Sequence, residues 1–174
     1  SILFYLCAFI KSEYLLASHA QGSDITYTCL SNNQYQITVA FYRDCAGANA
    51  PNSINLNVNS ASCNQNFNIT LNKVPGTGIE ISQICNSLTT TCNGGNYPGV
   101  QEYKYTGVVT LPMFCNDWTF SYTLCCRNNA INTIQNPGGQ SIYVSAMVNN
   151  LDFPCNNSPQ FSNPPLSYPC VGQT

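Results

Sequence analysis

Apolar and polar side chains alternate with a period of two along most of this chain, and helical periodicity is almost absent. Tyr35, Ile37, Val39 and Phe41 alternate with Gln36, Thr38 and Ala40, and Ile54, Leu56 and Val58 with Asn55, Asn57 and Asn59. Phe67, Ile69 and Leu71 repeat the pattern against Asn68 and Thr70, and Tyr103 and Tyr105 lead into Val108-Val109. Trp118, Phe120, Tyr122 and Leu124 alternate with Thr119, Ser121 and Thr123, and Ile142, Val144, Ala146 and Val148 form a last run. Asp24 to Leu30 reads as the first strand. A strand with one apolar and one polar face must bury the first and wet the second, which two antiparallel sheets packed face to face achieve. Turn residues separate the runs: Ala46-Gly47, Pro75-Gly-Thr-Gly78, Asn93-Gly-Gly95, Pro98-Gly99 and Asn136-Pro-Gly-Gly139. The pattern predicts an all-β chain folded as an antiparallel, Ig-like β-sandwich. Tyr35, Ile37, Val39, Phe41, Trp118, Phe120 and Leu124 should fill the space between its sheets.

The two ends depart from this pattern. Residues Ser1 to Ile10 are apolar but well short of the roughly 20 that a bilayer span needs. Ser18-His-Ala20 then gives the small-x-small pattern of a signal-peptidase site, so residues 1–20 read as an export signal and Gln21 as the first mature residue. A hydrophobic first strand or helix of the fold is the alternative. The sandwich is expected over residues 21–157. Residues 158–174, with Pro159, Pro164, Pro165 and Pro169, cannot form a central strand and are expected as an edge strand or extended exit segment.

Composition adds the compartment. The chain has eleven cysteines against five Lys+Arg and seven Asp+Glu. Beyond Cys7, in the expected signal, an even set remains: Cys29, Cys45, Cys63, Cys85, Cys92, Cys115, Cys125, Cys126, Cys155 and Cys170. Such a set in a lightly charged chain predicts a disulfide framework made in an oxidising compartment, outside the cell or at its surface. No Cys-x-x-Cys occurs and the one histidine is His19, so zinc-finger spacing is missing. A net charge of −2 without any Lys/Arg run argues against nucleic acid and against polybasic membrane attachment, and no membrane insertion of the mature chain is expected.

Candidate chemistry is sparse. Side chains alternate along a strand, so Cys125 and Cys126 should join two separate disulfides, the alternative being a vicinal disulfide between them that acts as a redox switch. The pairs close in sequence, Cys85–Cys92 and Cys155–Cys170, are the natural first expectation. Arg43-Asp44 and Arg127 stand at strand ends, where an Arg–carboxylate fork would hold a loop. Asp24, Asp44, Asp117 and Asp152 lack calcium-loop spacing, although a site assembled from several loops stays open. With His19 in the signal, no histidine base remains to activate Ser or Cys. Glu80 and Glu102 could act as a carboxylate pair only if the fold unites them. No catalytic residue, cofactor or metal is expected. Asn accounts for about two dozen positions, and its recurrence between Ile54 and Leu71 runs against its poor strand propensity. The polar face there could be solvated, packed on neighbouring subunits, or sugar-binding.

Residues 18–29, Phe41-Tyr-Arg-Asp-Cys-Ala-Gly47, Cys92-Asn-Gly-Gly95, residues 97–103, Pro154-Cys-Asn-Asn-Ser-Pro159, Phe161-Ser-Asn-Pro-Pro165 and, most distinctively, Asp117 to Asn129 with its Cys-Cys-Arg-Asn-Asn block form a recognisable set. Together they resemble the N-terminal module of large secreted surface proteins of Bacteroidota, of the gliding-motility-associated, PKD-repeat, type IX secretion type. The resemblance implies an extracellular or cell-surface address and no known catalytic residue. The expected function is a non-enzymatic surface or adhesion module of a larger secreted protein, meeting a protein or glycan at the cell surface or self-associating. A structural subunit of a filament or surface layer and a carbohydrate-binding module are the alternatives.

Overall fold

The structure is a computed structural model that describes residues 20–85, 87–128 and 131–161. The alternating runs are strands: β1 (Ala20–Ser31), β2 (Gln34–Asp44), β3 (Ser53–Ser60), β4 (Gln65–Lys73), β6 (Val100–Thr110), β7 (Trp118–Cys125) and β8 (Ser141–Val148). A two-residue strand, β5 (Ile79–Glu80), was too short to leave a periodic signal. The strands form one antiparallel sheet in the order β1-β2-β6-β4-β3-β7-β8, with β5 on β6. The sheet bends round on itself. Its turning point is the short β4–β6 ladder, where Asn72 pairs with Thr106 and Lys73 with Tyr105. The far ends, β1 and β8, come back towards each other, and the Tyr27 hydroxyl donates to the Met147 carbonyl across that seam at 2.9 Å. The result is a nearly closed barrel or sandwich with two walls, β1-β2-β6 and β4-β3-β7-β8.

Period two decides what lies between the walls. Tyr35, Ile37, Val39, Phe41, Trp118 and Phe120 are buried as their alternation requires, joined by Leu56, Val58, Leu71 and Tyr105. Leu124, expected among them, is only half-buried because it lies at the end of β7, where the walls open. Tyr27, Tyr35 and Phe120 meet edge-on or tilted, with ring centroids 5.8–6.3 Å apart, and so join β1, β2 and β7 near the seam. Edge-to-face pairs of this kind add to the area they bury. Gly107 faces inward on β6 where β4 crosses closest. A Cβ there would stand 2.6 Å from Leu71 Cδ2 and 3.0 Å from the Thr70 carbonyl oxygen, so a larger residue would force the buried Leu71 side chain to shift.

Disulfides secure the loops. Cys29 pairs with Cys155, Cys45 with Cys92, and Cys63 with Cys115. Cys85 is also disulfide-bonded, and Cys170 lies outside the described residues. The expected Cys85–Cys92 and Cys155–Cys170 pairs are therefore not formed. Chain proximity does not bring these sulfurs together; the strand order does, setting the end of β2 beside the loop before β6 and the end of β1 beside residue 155. Cys125 and Cys126 pair with each other, contrary to the expectation of two separate bridges. Alternation would forbid that within a strand, but β7 ends at Cys125 and the rule ends with it.

The proline-rich segment is described as far as Phe161. Its described residues are not a strand, but the chain at 157–158 runs along the outer edge of β1: Ser158 N–H donates to Tyr27 C=O, Tyr27 N–H to Ser158 Oγ, and Cys29 N–H to Asn157 Oδ1. Those bonds, with Cys29–Cys155, cover part of an edge that would otherwise offer free backbone groups. Residues 1–19 lie outside the described part. Ala20, the last residue of the expected signal, opens β1 and is buried against a bridge to Arg127.

Candidate functional site

The outer faces of the two walls differ in chemistry. On β4-β3-β7-β8 the outward residues form cross-strand rows without a formal charge. Asn68, Asn57, Ser121 and Ser145 are aligned across four strands, and Asn66, Asn59, Thr119 and Met147 form the neighbouring row. Strand spacing sets the side chains about 4.8 Å apart within a row, and the pleat sets rows about 6.8 Å apart. The amides are tied to one another. Asn57 Nδ2 donates to Asn66 Oδ1 at 2.7 Å and Asn68 Oδ1 at 3.1 Å, Asn59 Nδ2 donates to Gln65 C=O, and Thr70 Oγ1 to Asn55 Oδ1. These bonds fix the side-chain rotamers before any partner arrives and explain how poor strand formers sit in a strand: the ladder offsets their propensity. Tyr143, 60% exposed, and Met147, 64% exposed, supply apolar area along β8.

The outer face of β1-β2-β6 is mixed and partly covered. Asp24, Tyr42, Glu102 and Lys104 line a shallow depression of about 140 Å3 that also touches Gln160 and Phe161. Part of its polar lining is already engaged. The Tyr42 hydroxyl donates to Asp24 Oδ2 at 2.7 Å, and burial together with that carboxylate raises the phenol's pKa well above its usual value. Lys104 Nζ lies 3.6 Å from Glu102 Oε2.

The other residues singled out by the sequence have structural partners. Arg43 is buried and forms no carboxylate fork: its guanidinium donates to the carbonyls of Cys45, Gly47 and Ala48 and, at 2.8 Å, to Gln101 Oε1. It does hold a loop, but through carbonyls, because alternation points Arg43 and Asp44 to opposite faces. Asp44 instead accepts from Ala46 N–H and Asn128 Nδ2. Arg127 contributes its backbone, donating N–H to Gln140 C=O at 2.9 Å. Among the described residues neither arginine has a carboxylate within ion-pair range.

Asp117 accepts from Ser60 Oγ, Ser62 Oγ and Ser62 N–H, and those donors lower its pKa to about 2. Asp152 accepts from Asn149 Nδ2. The four aspartates are thus dispersed, and among the described residues no group of three or more His, Cys, Asp or Glu is placed to hold a metal ion. Glu80 and Glu102 come close in register, with Ile79 opposite Glu102 and Glu80 opposite Gln101, but adjacent register positions face opposite ways. Glu80 is held by Thr90 Oγ1 and Asn93 Nδ2, so the two carboxylates do not act as a pair.

Sequence reading missed Asn150. Fully buried, it accepts from Cys115 N–H at 2.8 Å and donates to Asn33 Oδ1 and Met113 C=O, clamping three loops at one end of the sandwich. A chain with about two dozen asparagines offers no signal that marks this one. Among the described residues no helix is long and apolar enough to cross a membrane. The several disulfides are consistent with an oxidising or extracellular environment. No family model, curated protein or solved structure matches the chain.

Proposed function

We propose that this chain is a non-enzymatic extracellular surface or adhesion module, a disulfide-stapled Ig-like sandwich within a larger secreted protein of the kind its sequence resembles. It binds a protein or glycan at the cell surface through the outer face of β4-β3-β7-β8. The amide ladder carries this reading. Asn57 holds Asn66 and Asn68 in fixed geometry, so their remaining donors and acceptors face a partner with little ordering cost left to meet. Uncharged hydrogen-bonding groups select by shape and donor–acceptor pattern and give little electrostatic steering. Retention on cell surfaces, measured from low to high ionic strength, should therefore stay nearly constant. Ser145→Glu, which sets a charge in the row of Asn57 and Asn68, should weaken retention at least about tenfold, because an unpaired charge desolvated in an interface is costly. A steep loss of binding with salt, or full retention by the variant, would overturn the assignment of this face.

A glycan ligand is the second reading, supported by the exposed Tyr143 ring opposite Thr123. An aromatic ring beside uncharged hydroxyls suits a sugar's apolar face and hydroxyls together. Loss of glycan-array signal in Tyr143→Ala, with retention on protein-coated surfaces unchanged, would select it over a protein partner.

A further inference from the structure

The disulfides whose two cysteines are both described are of two kinds. Cys29–Cys155, Cys45–Cys92 and Cys63–Cys115 join positions 126, 47 and 52 residues apart. Cys125–Cys126 joins neighbours. A cross-link constrains the unfolded chain according to the loop it closes, so the first three hold the fold and the last adds almost nothing to it. Opening a long-loop bridge therefore works against folding stability. Opening the vicinal bridge does not. It is also reachable, since Cys125 is exposed and Cys126 half-buried at the end of β7.

The next two residues of the chain give this bridge something to control. Arg127 N–H donates to Gln140 C=O beside β8, Arg127 bridges to Ala20, and Asn128 N–H donates to Ala20 C=O. Asn128 Nδ2 reaches Asp44 Oδ2 at the end of β2. Residues 126–128 are thus a clasp that ties the end of β7 to the start of β1 and the end of β2, closing one end of the seam between the walls. The ring made by Cys125–Cys126 fixes how the chain leaves β7 into that clasp.

We propose that Cys125–Cys126 is a reversible thiol–disulfide exchange site, opened by an external dithiol while the long-loop disulfides stay closed, and that opening it loosens the clasp. One thiolate of the dithiol attacks Cys125 Sγ. The bond between the two cysteine sulfurs breaks, a mixed disulfide forms on Cys125, and Cys126 leaves as a thiolate that takes a proton from water. The second thiol of the dithiol loses its proton and attacks its partner sulfur in the mixed disulfide, and Cys125 departs and is protonated. The dithiol ends as a disulfide, and two electrons have passed to the protein.

The test titrates the oxidised full chain with dithiothreitol, traps thiols with an alkylating agent, and maps them by peptide mass spectrometry. Cys125 and Cys126 should be alkylated at a dithiol concentration at least about tenfold below that needed for Cys29, Cys45, Cys63 or Cys115. In the selectively reduced protein the amides of Arg127 and Asn128 should exchange hydrogen at least about tenfold faster, with core strand amides unchanged. The double variant Cys125→Ser, Cys126→Ser should fold, lose the early alkylation and show the fast exchange without reductant. Simultaneous or later opening of Cys125–Cys126, alkylation of either cysteine before any reductant is added, or clasp amides that exchange alike in both redox states would each overturn the proposal.

Discussion

The two walls share a core but not a surface. Outward positions of β4-β3-β7-β8 are Asn, Ser, Thr and a few apolar side chains, joined in a ladder led by Asn57. Outward positions of β1-β2-β6 include Asp24, Glu102 and Lys104: Asp24 accepts from the Tyr42 hydroxyl, and Lys104 faces Glu102. The edge of that second wall is also partly covered by residues 157 and 158. Charged groups satisfied locally leave little for a partner, whereas an ordered neutral ladder leaves hydrogen-bonding capacity facing outward. Under the proposed function, charge does not mark the interactive surface of this molecule.

The comparison can be broken first at what the walls share. Phe120 on β7 touches Tyr27 and Tyr35 of the opposite wall, so Phe120→Ala should destabilise the whole fold by about 3–5 kcal/mol in urea denaturation with the disulfides intact. Thr119→Ala, one residue along on the outer face, should cost under about 0.5 kcal/mol. The reverse ranking would mean that the assigned register is wrong.

A smaller effect separates a fixed charge from a solvated one. Hydroxyl and amide donors lower the Asp117 pKa from 3.8 to about 2. A carboxylate with a depressed folded pKa stabilises the fold above its unfolded value and loses that contribution as pH falls through the folded one. Wild-type stability should therefore decline from about pH 4 to about pH 2 more steeply than that of Asp117→Asn. Parallel curves for the two proteins would show that the Ser60–Ser62 turn does not depend on this ionised side chain.

The smallest effect belongs to the charged wall. The Lys104–Glu102 pair is half-exposed on the lysine side, and surface pairs contribute about 0–1 kcal/mol. Lys104→Ala should shift the denaturation midpoint barely, and the residual effect should vanish in high salt. A loss above about 2 kcal/mol would place that wall, not the amide wall, under functional or structural load.

By itself the sequence determined the seven long strands, their buried faces and the cysteine-rich character, because burial with a period of two is a local property of each run. The Tyr35–Phe41 and Trp118–Tyr122 runs needed no partner to declare which side faced inward. The Asn-rich face of β3 and β4 was legible in the same way, although not its ladder of bonds. Tertiary structure alone decided the strand order, the partners of Cys29, Cys45 and Cys63, and the carbonyl cage around Arg43. It also decided that Cys125 and Cys126 meet, because the strand rule that keeps neighbours apart stops where β7 stops. Asn150 is the clearest case of all: one amide among many became a buried clamp because three loops converge on it. Alternation acts between neighbours in the chain, whereas pairing depends on which distant segments the closed sheet brings together, and that information is not carried by any short stretch of residues.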